Sequence, residues 1–158
     1  MLYIFDKDNT LVASLGERPA NQPDEQIPLP GVAAKLAELR AQGYQLAVAS
    51  NQGGVAWGYL TTAQVQALMD DLTAKLGPFD AIEWSPYDPR AKGKRRHPAY
   101  ARDDESCKPR PGMLLAIMTR LNASPAATVM VGDQESDKQA AEAAGCCFVW
   151  AQEMFGWV

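Results

Sequence analysis

Asp6, Asp8 and Thr10 alternate through the segment FDKDNTLV, directly behind the apolar run Leu2–Phe5. Asp133 and Asp137 stand in VGDQESD, directly behind another apolar run, Thr128–Val131. Ser50 ends a third run, QLAVAS, with Asn51 beside it, and Lys108 lies in CKPRPGM just ahead of a helical pattern. Together these groups supply what phosphoryl transfer through a carboxylate requires. Asp6 can attack phosphorus and divide a hydrolysis into two easier steps. A divalent cation on hard oxygen ligands (the carboxylates of Asp6 and Asp133 and the backbone carbonyl of Asp8) would offset repulsion between carboxylate and phosphate. Mg²⁺ suits such a site because it takes one or two carboxylates plus substrate phosphate and keeps waters. Ser50 and the amides after it can donate to phosphate oxygens, with Asn51 contacting phosphate or leaving group. Lys108 places a positive charge where negative charge accumulates. Asp8 can protonate the leaving oxygen and then activate water. Thr10 would orient the aspartate loop, and Asp137 would support the metal site from a helix start.

Taken singly, each feature has an ordinary explanation. An isolated D-x-D-x-T is frequently a solvated turn, acids near a helix start are favoured by the dipole, and a lone lysine is a surface residue. Placement is what separates chemistry from coincidence. In doubly wound sheets ligands bind outside the carboxyl ends of the strands, where the strand order reverses, and the aspartates and Ser50 stand there.

The remaining chain supplies the elements that must carry them. Leu2–Phe5, Gln45–Ser50, Ala81–Ser85, Thr128–Val131 and Cys146–Trp150 read as strands without polar alternation, as expected of strands buried on both faces. Helical patterns occupy roughly Gly31–Gln42, Thr62–Leu76, Pro111–Leu121 and Asp137–Ala144. Thr61 with Gln64 and Ser136 with Gln139 have capping-box spacing, and Pro111 suits a first helical turn. Gly43, Gly77 and Gly145 stand where left-handed residues close helices. Alternating strands and helices predict an α/β fold with right-handed crossovers and a mostly parallel sheet of about five strands. With no repeat or linker, residues 1–158 read as a single domain.

Composition narrows the function classes. With 47% hydrophobic and 22% charged residues the chain is globular rather than disordered. A net charge of −4 gives no ground for general nucleic-acid binding. The three cysteines, Cys107, Cys146 and Cys147, do not form a disulfide framework and read as reduced thiols. The apolar run before Asp6 is too short for a signal segment or a membrane span, so a cytoplasmic location is expected.

FDKDNTLV, VASN, Lys108 and VGDQESD resemble, in order, the four motifs of the haloacid dehalogenase (HAD) superfamily. The resemblance implies a Rossmann-like three-layer α/β/α core with strand order 5-4-1-2-3, bringing Asp6, Asp8 and Asp133 together between the first and fourth strands. SNQGGVAWGYLT and KPRPGMLL are similar to segments of the D-glycero-D-manno-heptose-1,7-bisphosphate phosphatases and the related histidinol-phosphatase domain. Neither usual insertion point has room for a large cap, so the site should be open and shaped by loops.

Departures from that group are specific. Its zinc loop begins CPxH and ends CxCRKP, and the four ligand positions here are Ser85, Asp88, Asp104 and Ser106, so no structural zinc is expected. Lone His97 is expected to be solvated. Cys107 and Trp57 stand at two arginine positions that in the family help hold substrate. Asn9 replaces a glycine, a turn position that asparagine adopts readily.

Between Pro86 and Cys107 runs a long charged loop containing Arg90, Lys92, Lys94, Arg95, Arg96 and Arg102. It reads either as solvated or as an overhang that attracts a charged phosphate ester. The aromatics Trp57, Tyr59, Tyr87 and Tyr100 nearby could stack on a base. The expected activity is Mg²⁺-dependent hydrolysis of a small-molecule phosphate ester, a sugar or related metabolite phosphate. The alternatives are action on a nucleic acid 3′-phosphate end and a non-catalytic binding module. The apolar MFGWV terminus could cover a sheet edge or join a partner, which leaves the oligomeric state open.

Overall fold

The computed structural model describes residues 1–158. Five strands form one parallel sheet: β1 (Leu2–Phe5), β2 (Gln45–Asn51), β3 (Ala81–Ser85), β4 (Thr128–Gly132) and β5 (Cys147–Trp150). Their order is β3-β2-β1-β4-β5, the order the resemblance implied. Phe5 lies level with Val48 on one side and Val131 on the other, so β1 and β4 end within a residue of each other and β2 runs on to Asn51. The residues that follow them emerge side by side.

The strands lack polar alternation because both faces are covered. Phe5, Leu46, Val48, Val129 and Val131 point into one apolar cluster. It is closed by α1 (Val32–Ala41) through Val32, Leu36 and Leu39, and by α3 (Thr62–Leu76) through Val65, Met69, Leu72 and Leu76. Leu2, Ile4, Ala47, Ala49 and Met130 point the other way. There they meet α4 (Gly112–Arg120) through Met113, Leu114, Ile117 and Met118, and α5 (Glu135–Ala144) through Ala140, Ala141 and Ala144. Burying each such large side chain is worth about 1.5–3 kcal/mol. The two clusters make the three layers of a Rossmann-like α/β fold.

Most element ends follow the local rules. Thr61 and Gln64 form the expected capping box, with hydrogen bonds of 3.1 and 2.8 Å. Gly43 and Gly145 have positive φ, and so does Asn9 at 62°. Three expectations are corrected. The helix expected from Asp137 begins at Glu135, because Asp137 Oδ2 accepts the Gln134 amide (3.0 Å) and caps the turn before it; Ser136 is inside the helix, not at its cap. Gly77 is extended (φ −76°, ψ −172°), since Pro78 after it disfavours helical backbone. Pro111 takes the cap position rather than the first turn of α4.

Two short helices were not foreseen: α2 (Gly54–Trp57) and α6 (Ala151–Phe155). The apolar terminus packs onto its own chain. Phe155 stacks on Phe5 at 6.1 Å and on Trp157 at 5.1 Å, and Trp157 Nε1 donates to the Pro30 carbonyl (2.7 Å). No helix is long and apolar enough to cross a membrane.

Candidate active site

Every candidate residue lies at or just beyond the carboxyl ends of β1, β2 and β4 or, for Lys108, reaches there from the long loop. The chain runs outward from β1 through β2 to β3 and then returns to β4, so the strand order reverses between β1 and β4. The Asp6 amide donates to the Val131 carbonyl (2.9 Å), which extends the ladder by one residue and fixes the carboxylate beside β4. Beyond it the chain folds back on itself. The Lys7 carbonyl accepts from the Leu11 amide (2.9 Å), and left-handed Asn9 takes its amide to the Val12 carbonyl (2.7 Å) and its side chain to the Ser14 amide (3.1 Å). That turn presents Asp8 and buried Thr10 next to Asp6.

Lys108 is at the centre. Its ammonium donates to Asp6 Oδ1 (2.9 Å), Asp137 Oδ1 (2.6 Å) and the Ala49 carbonyl (2.8 Å) and is 4% exposed, so all three donors are used. Asn51 holds the Lys108 backbone: its amide donates to the Lys108 carbonyl and its oxygen accepts the Lys108 amide, both at 3.0 Å. Asn51 therefore positions Lys108, a task not foreseen from the sequence. Asp137 accepts the Asp133 and Gln134 amides (3.2 and 3.0 Å) on its other oxygen. The Thr10 hydroxyl donates to Asp133 Oδ1 (3.3 Å). Oxygens of Asp6, Asp133 and Asp137 lie within 4.8 Å of one another. Gly132 makes this possible, because a Cβ there would run into the Asp137 carboxylate.

The electrostatics are unequal. Burial raises the Asp6 carboxyl from 3.8 to about 6; Asp8 and Asp133 push it the same way, and Lys108 opposes them. Burial alone would pull the Lys108 ammonium down, but Asp6 and Asp137 outweigh it, so the group is held above its usual range. Burial also raises Asp137, with Asp6 adding to it and Lys108 opposing. Lys108 is shared between two carboxylates and is over-compensated, whereas Asp6 receives part of one cation and faces further acids. Asp6 Oδ1 accepts the Lys108 ammonium, and no hydrogen bond occupies Oδ2, which leaves that oxygen open.

Three residues not singled out by sequence reasoning complete the arrangement. Lys7, fully buried, donates to Asp8 Oδ1 (2.8 Å) and Gln26 Oε1 (2.7 Å). Gln26, also buried, donates to the Leu68 carbonyl and Asp71, both at 2.9 Å, tying the aspartate loop to α3. Gln52 donates to Asp8 Oδ2 (3.1 Å) and to the Ser50 hydroxyl (2.8 Å). The signal for Lys7 was a cation between two aspartates; Asp8 is the next residue, but Gln26 lies 19 residues on and leaves no local pattern.

A cavity of about 1020 Å³ opens over the site, lined by Asn51, Gln52 and Lys108 and also by Trp57, Tyr59 and Arg95. The long loop contributes to it. The Ser106 hydroxyl lies 2.7 Å from Asp104 and 3.0 Å from Ser85 Oγ, while Asp88 accepts from Trp57 Nε1 (3.1 Å) and from Arg90. His97 is exposed, its ring 4.7 Å from that of Tyr100.

A three-layer α/β fold with a lysine bridging two acids beyond the sheet defines a class of phosphoryl-transfer hydrolases. A family profile described as haloacid dehalogenase-like hydrolase matches residues 14–145, and the chain belongs to that family. Within it, the chain is a phosphatase. It is 33% identical over 146 residues to D-glycero-beta-D-manno-heptose-1,7-bisphosphate 7-phosphatase of Haemophilus ducreyi, covering 89% of this chain and 76% of the relative. The Bordetella bronchiseptica enzyme of the same name is 34% identical over 152 residues, covering 92% and 76%. A crystal structure of D,D-heptose 1,7-bisphosphate phosphatase from B. bronchiseptica, complexed with magnesium and phosphate, superposes with a TM-score of 0.78. Its identity is 32%, covering 93% of this chain and 78% of that one.

Proposed function

We propose that residues 1–158 act as one phosphatase domain that hydrolyses a small sugar or related metabolite phosphate through an aspartyl-phosphate formed on Asp6. The observation that carries this is Lys108, 2.9 Å from Asp6 and 2.6 Å from Asp137, which leaves the second Asp6 oxygen free. That oxygen attacks phosphorus, the ester P–O bond breaks, and the leaving oxygen takes its proton from Asp8. Asp8, now ionised, removes a proton from water as the water attacks the phosphoryl group. Inorganic phosphate leaves and the Asp6 carboxylate is restored. Lys7 and Gln52 hold one oxygen each of Asp8, which fixes its direction through both halves of the cycle. Ser50 receives the phosphate and Lys108, its donors held by Asp6, Asp137 and the Ala49 carbonyl, supplies positive charge beside it, with Asn51 holding Lys108 and Thr10 holding Asp133.

The donor set fits Mg²⁺: Asp6, Asp133 and the Asp8 carbonyl offer hard oxygens, and Asp137, engaged by Lys108 and two amides, supports them from behind. When bound, the cation neutralises charge between the carboxylates and the phosphate. Zinc does not fit the long loop, because Ser85 and Ser106 bring hydroxyls and Asp88 is held by Arg90. The presence of magnesium and phosphate with the Bordetella relative supports the reading. The test is hydrolysis of a generic aryl phosphate with Mg²⁺ or EDTA, followed by a panel of phosphometabolites. Mg²⁺-dependent turnover that disappears in Asp6→Asn is expected. Turnover surviving in Asp6→Asn would rule out the covalent route.

A further inference from the structure

We infer that the substrate carries an aromatic ring on its leaving group, as a nucleoside monophosphate does, and that Trp57 and Tyr59 form the wall that receives the ring. The assignment rests on the phosphatase reading above and narrows its substrate. Trp57 and Tyr59 lie in the same cavity as Asn51, Gln52 and Lys108, with ring planes 14° apart and centroids 6.1 Å apart. Tyr59 is 60% exposed, so its ring is accessible to a ligand in the cavity.

Trp57 offers aromatic surface rather than hydrogen bonds, and Tyr59 adds a second ring with a single hydroxyl. The only polar atom of Trp57, Nε1, is already committed to Asp88 at 3.1 Å. Asp88 is itself held by the Arg90 amide (2.9 Å) and by two guanidinium contacts of 3.0 Å. A bare sugar, which presents hydroxyls, finds few free partners at Trp57; a flat π-system finds a matching surface.

The long loop is pinned beside the wall. Gly58, between the two rings, has φ 83°, and a Cβ there would collide with the Arg95 carbonyl. The His97 amide adds a second tie, to the Ala56 carbonyl at 2.8 Å. Arg95 therefore lines the cavity next to the rings. The guanidiniums of Arg18 and Arg90 are taken by Glu25 and Asp88, while that of Arg95 remains free to stack on a base or meet a further negative charge. About 1020 Å³ leaves room for a ring as well as a phosphate. Three acids of the lining, Glu17, Asp88 and Asp103, offset three of its four cations, Arg18, Arg90, Arg95 and Lys108, which with the net charge of −4 leaves little surplus positive charge for a strand of phosphodiesters. The occupant is therefore a small molecule rather than a polynucleotide end.

The test compares two ligands that share a phosphorylated sugar and differ by the base alone, adenosine 5′-monophosphate and ribose 5-phosphate. Binding to full-length Asp6→Asn is measured by calorimetry with Mg²⁺, and phosphate release by the wild type is followed in parallel. The nucleotide is expected to bind roughly tenfold more tightly, the size of one base–aromatic stack. Trp57→Ala and Tyr59→Ala should each move that ratio toward one, and Trp57→Phe should preserve it. Tyr59 is exposed, so its variant keeps the test clear of misfolding. Equal binding of the two ligands overturns the ring assignment while leaving the phosphatase reading intact. A clear preference for the nucleotide, with no phosphate released from any monoester, upholds the wall and overturns the phosphatase reading. Tighter binding of an oligonucleotide 3′-phosphate than of the mononucleotide overturns the small-molecule assignment.

Discussion

Asp6→Asn should make the metal-free protein more stable while abolishing its activity. The Asp6 carboxyl sits at about 6 instead of 3.8 because it is buried near Asp8 and Asp133 with only a share of Lys108. At about 1.4 kcal/mol for each tenfold change in proton affinity, the ionised carboxylate costs the folded state about 3 kcal/mol. The sign follows from proton binding. Between 3.8 and about 6 the folded chain keeps a proton that the unfolded chain has released, so stability falls as pH rises through that window. The whole penalty is present above about pH 6 and absent below 3.8. Asparagine preserves the shape, keeps a carbonyl for Lys108 and turns an amide toward the neighbouring acids. In EDTA at about pH 7.5 the variant should melt roughly 6–12 °C above the wild type, the shift that about 3 kcal/mol gives a chain of this size. The gap should close near pH 4. Mg²⁺ should also close it, because the cation stabilises the ionised wild type far more than the variant. Calorimetric melts of both proteins, with and without Mg²⁺, measure all of this. A variant that melts at or below the wild type in EDTA would refute the claim that Asp6 is held under electrostatic strain.

Three further outcomes follow from the same contacts. Gly132→Ala should push the Asp137 carboxylate off Lys108 and off the Asp133 and Gln134 amides, lowering kcat by roughly a hundredfold, the scale of an ångström-sized misplacement; steady-state kinetics and a thermal melt check it, and near-normal turnover would show that Asp137 is dispensable. Lys7→Met should lower kcat about tenfold or more with little change in KM, since it frees Asp8 without touching the phosphate contacts, and Lys7→Arg should recover part of the loss; an equal fall in substrate affinity would contradict the positioning role. Ile117→Ala, in the cluster under α4, should cost about 2–5 kcal/mol by denaturant unfolding and leave KM unchanged.

The sheet was legible because its strands are apolar on both faces, and Leu2, Phe5, Val48 and Val131 fall where the runs put them. The site residues were legible because each directly follows such a run or precedes a helix. What escaped notice is what depends on contacts through space. The start of α5 was misplaced since Ser136 and Gln139 have the spacing of a cap, yet Asp137 satisfies the Gln134 amide first. The helix α2, only four residues long, carries too little periodicity to announce itself. Asn51 looks like a phosphate contact from its place after β2, but its partner is a backbone 57 residues away. Lys7 and Gln26 are 19 residues apart with no shared motif, and only the fold makes them neighbours.

These two kinds of information match a physical division of labour. The packing under the sheet is redundant, since many apolar side chains share the burial and the loss of one leaves the rest in place. The site has no such redundancy: Lys108 spends every donor it has, and Asp137 uses both oxygens. Such a network holds its charges only because rigid elements approach it from β1, β2, β4 and α5 together. The ionised Asp6 therefore draws on stability generated elsewhere. A buried, partly compensated carboxylate with one free oxygen is an unfavourable ground state, and a cation or a phosphoryl group relieves it. The groups that make Asp6 expensive to bury, Asp8 and Asp133, are the ones the proposed reaction uses beside it.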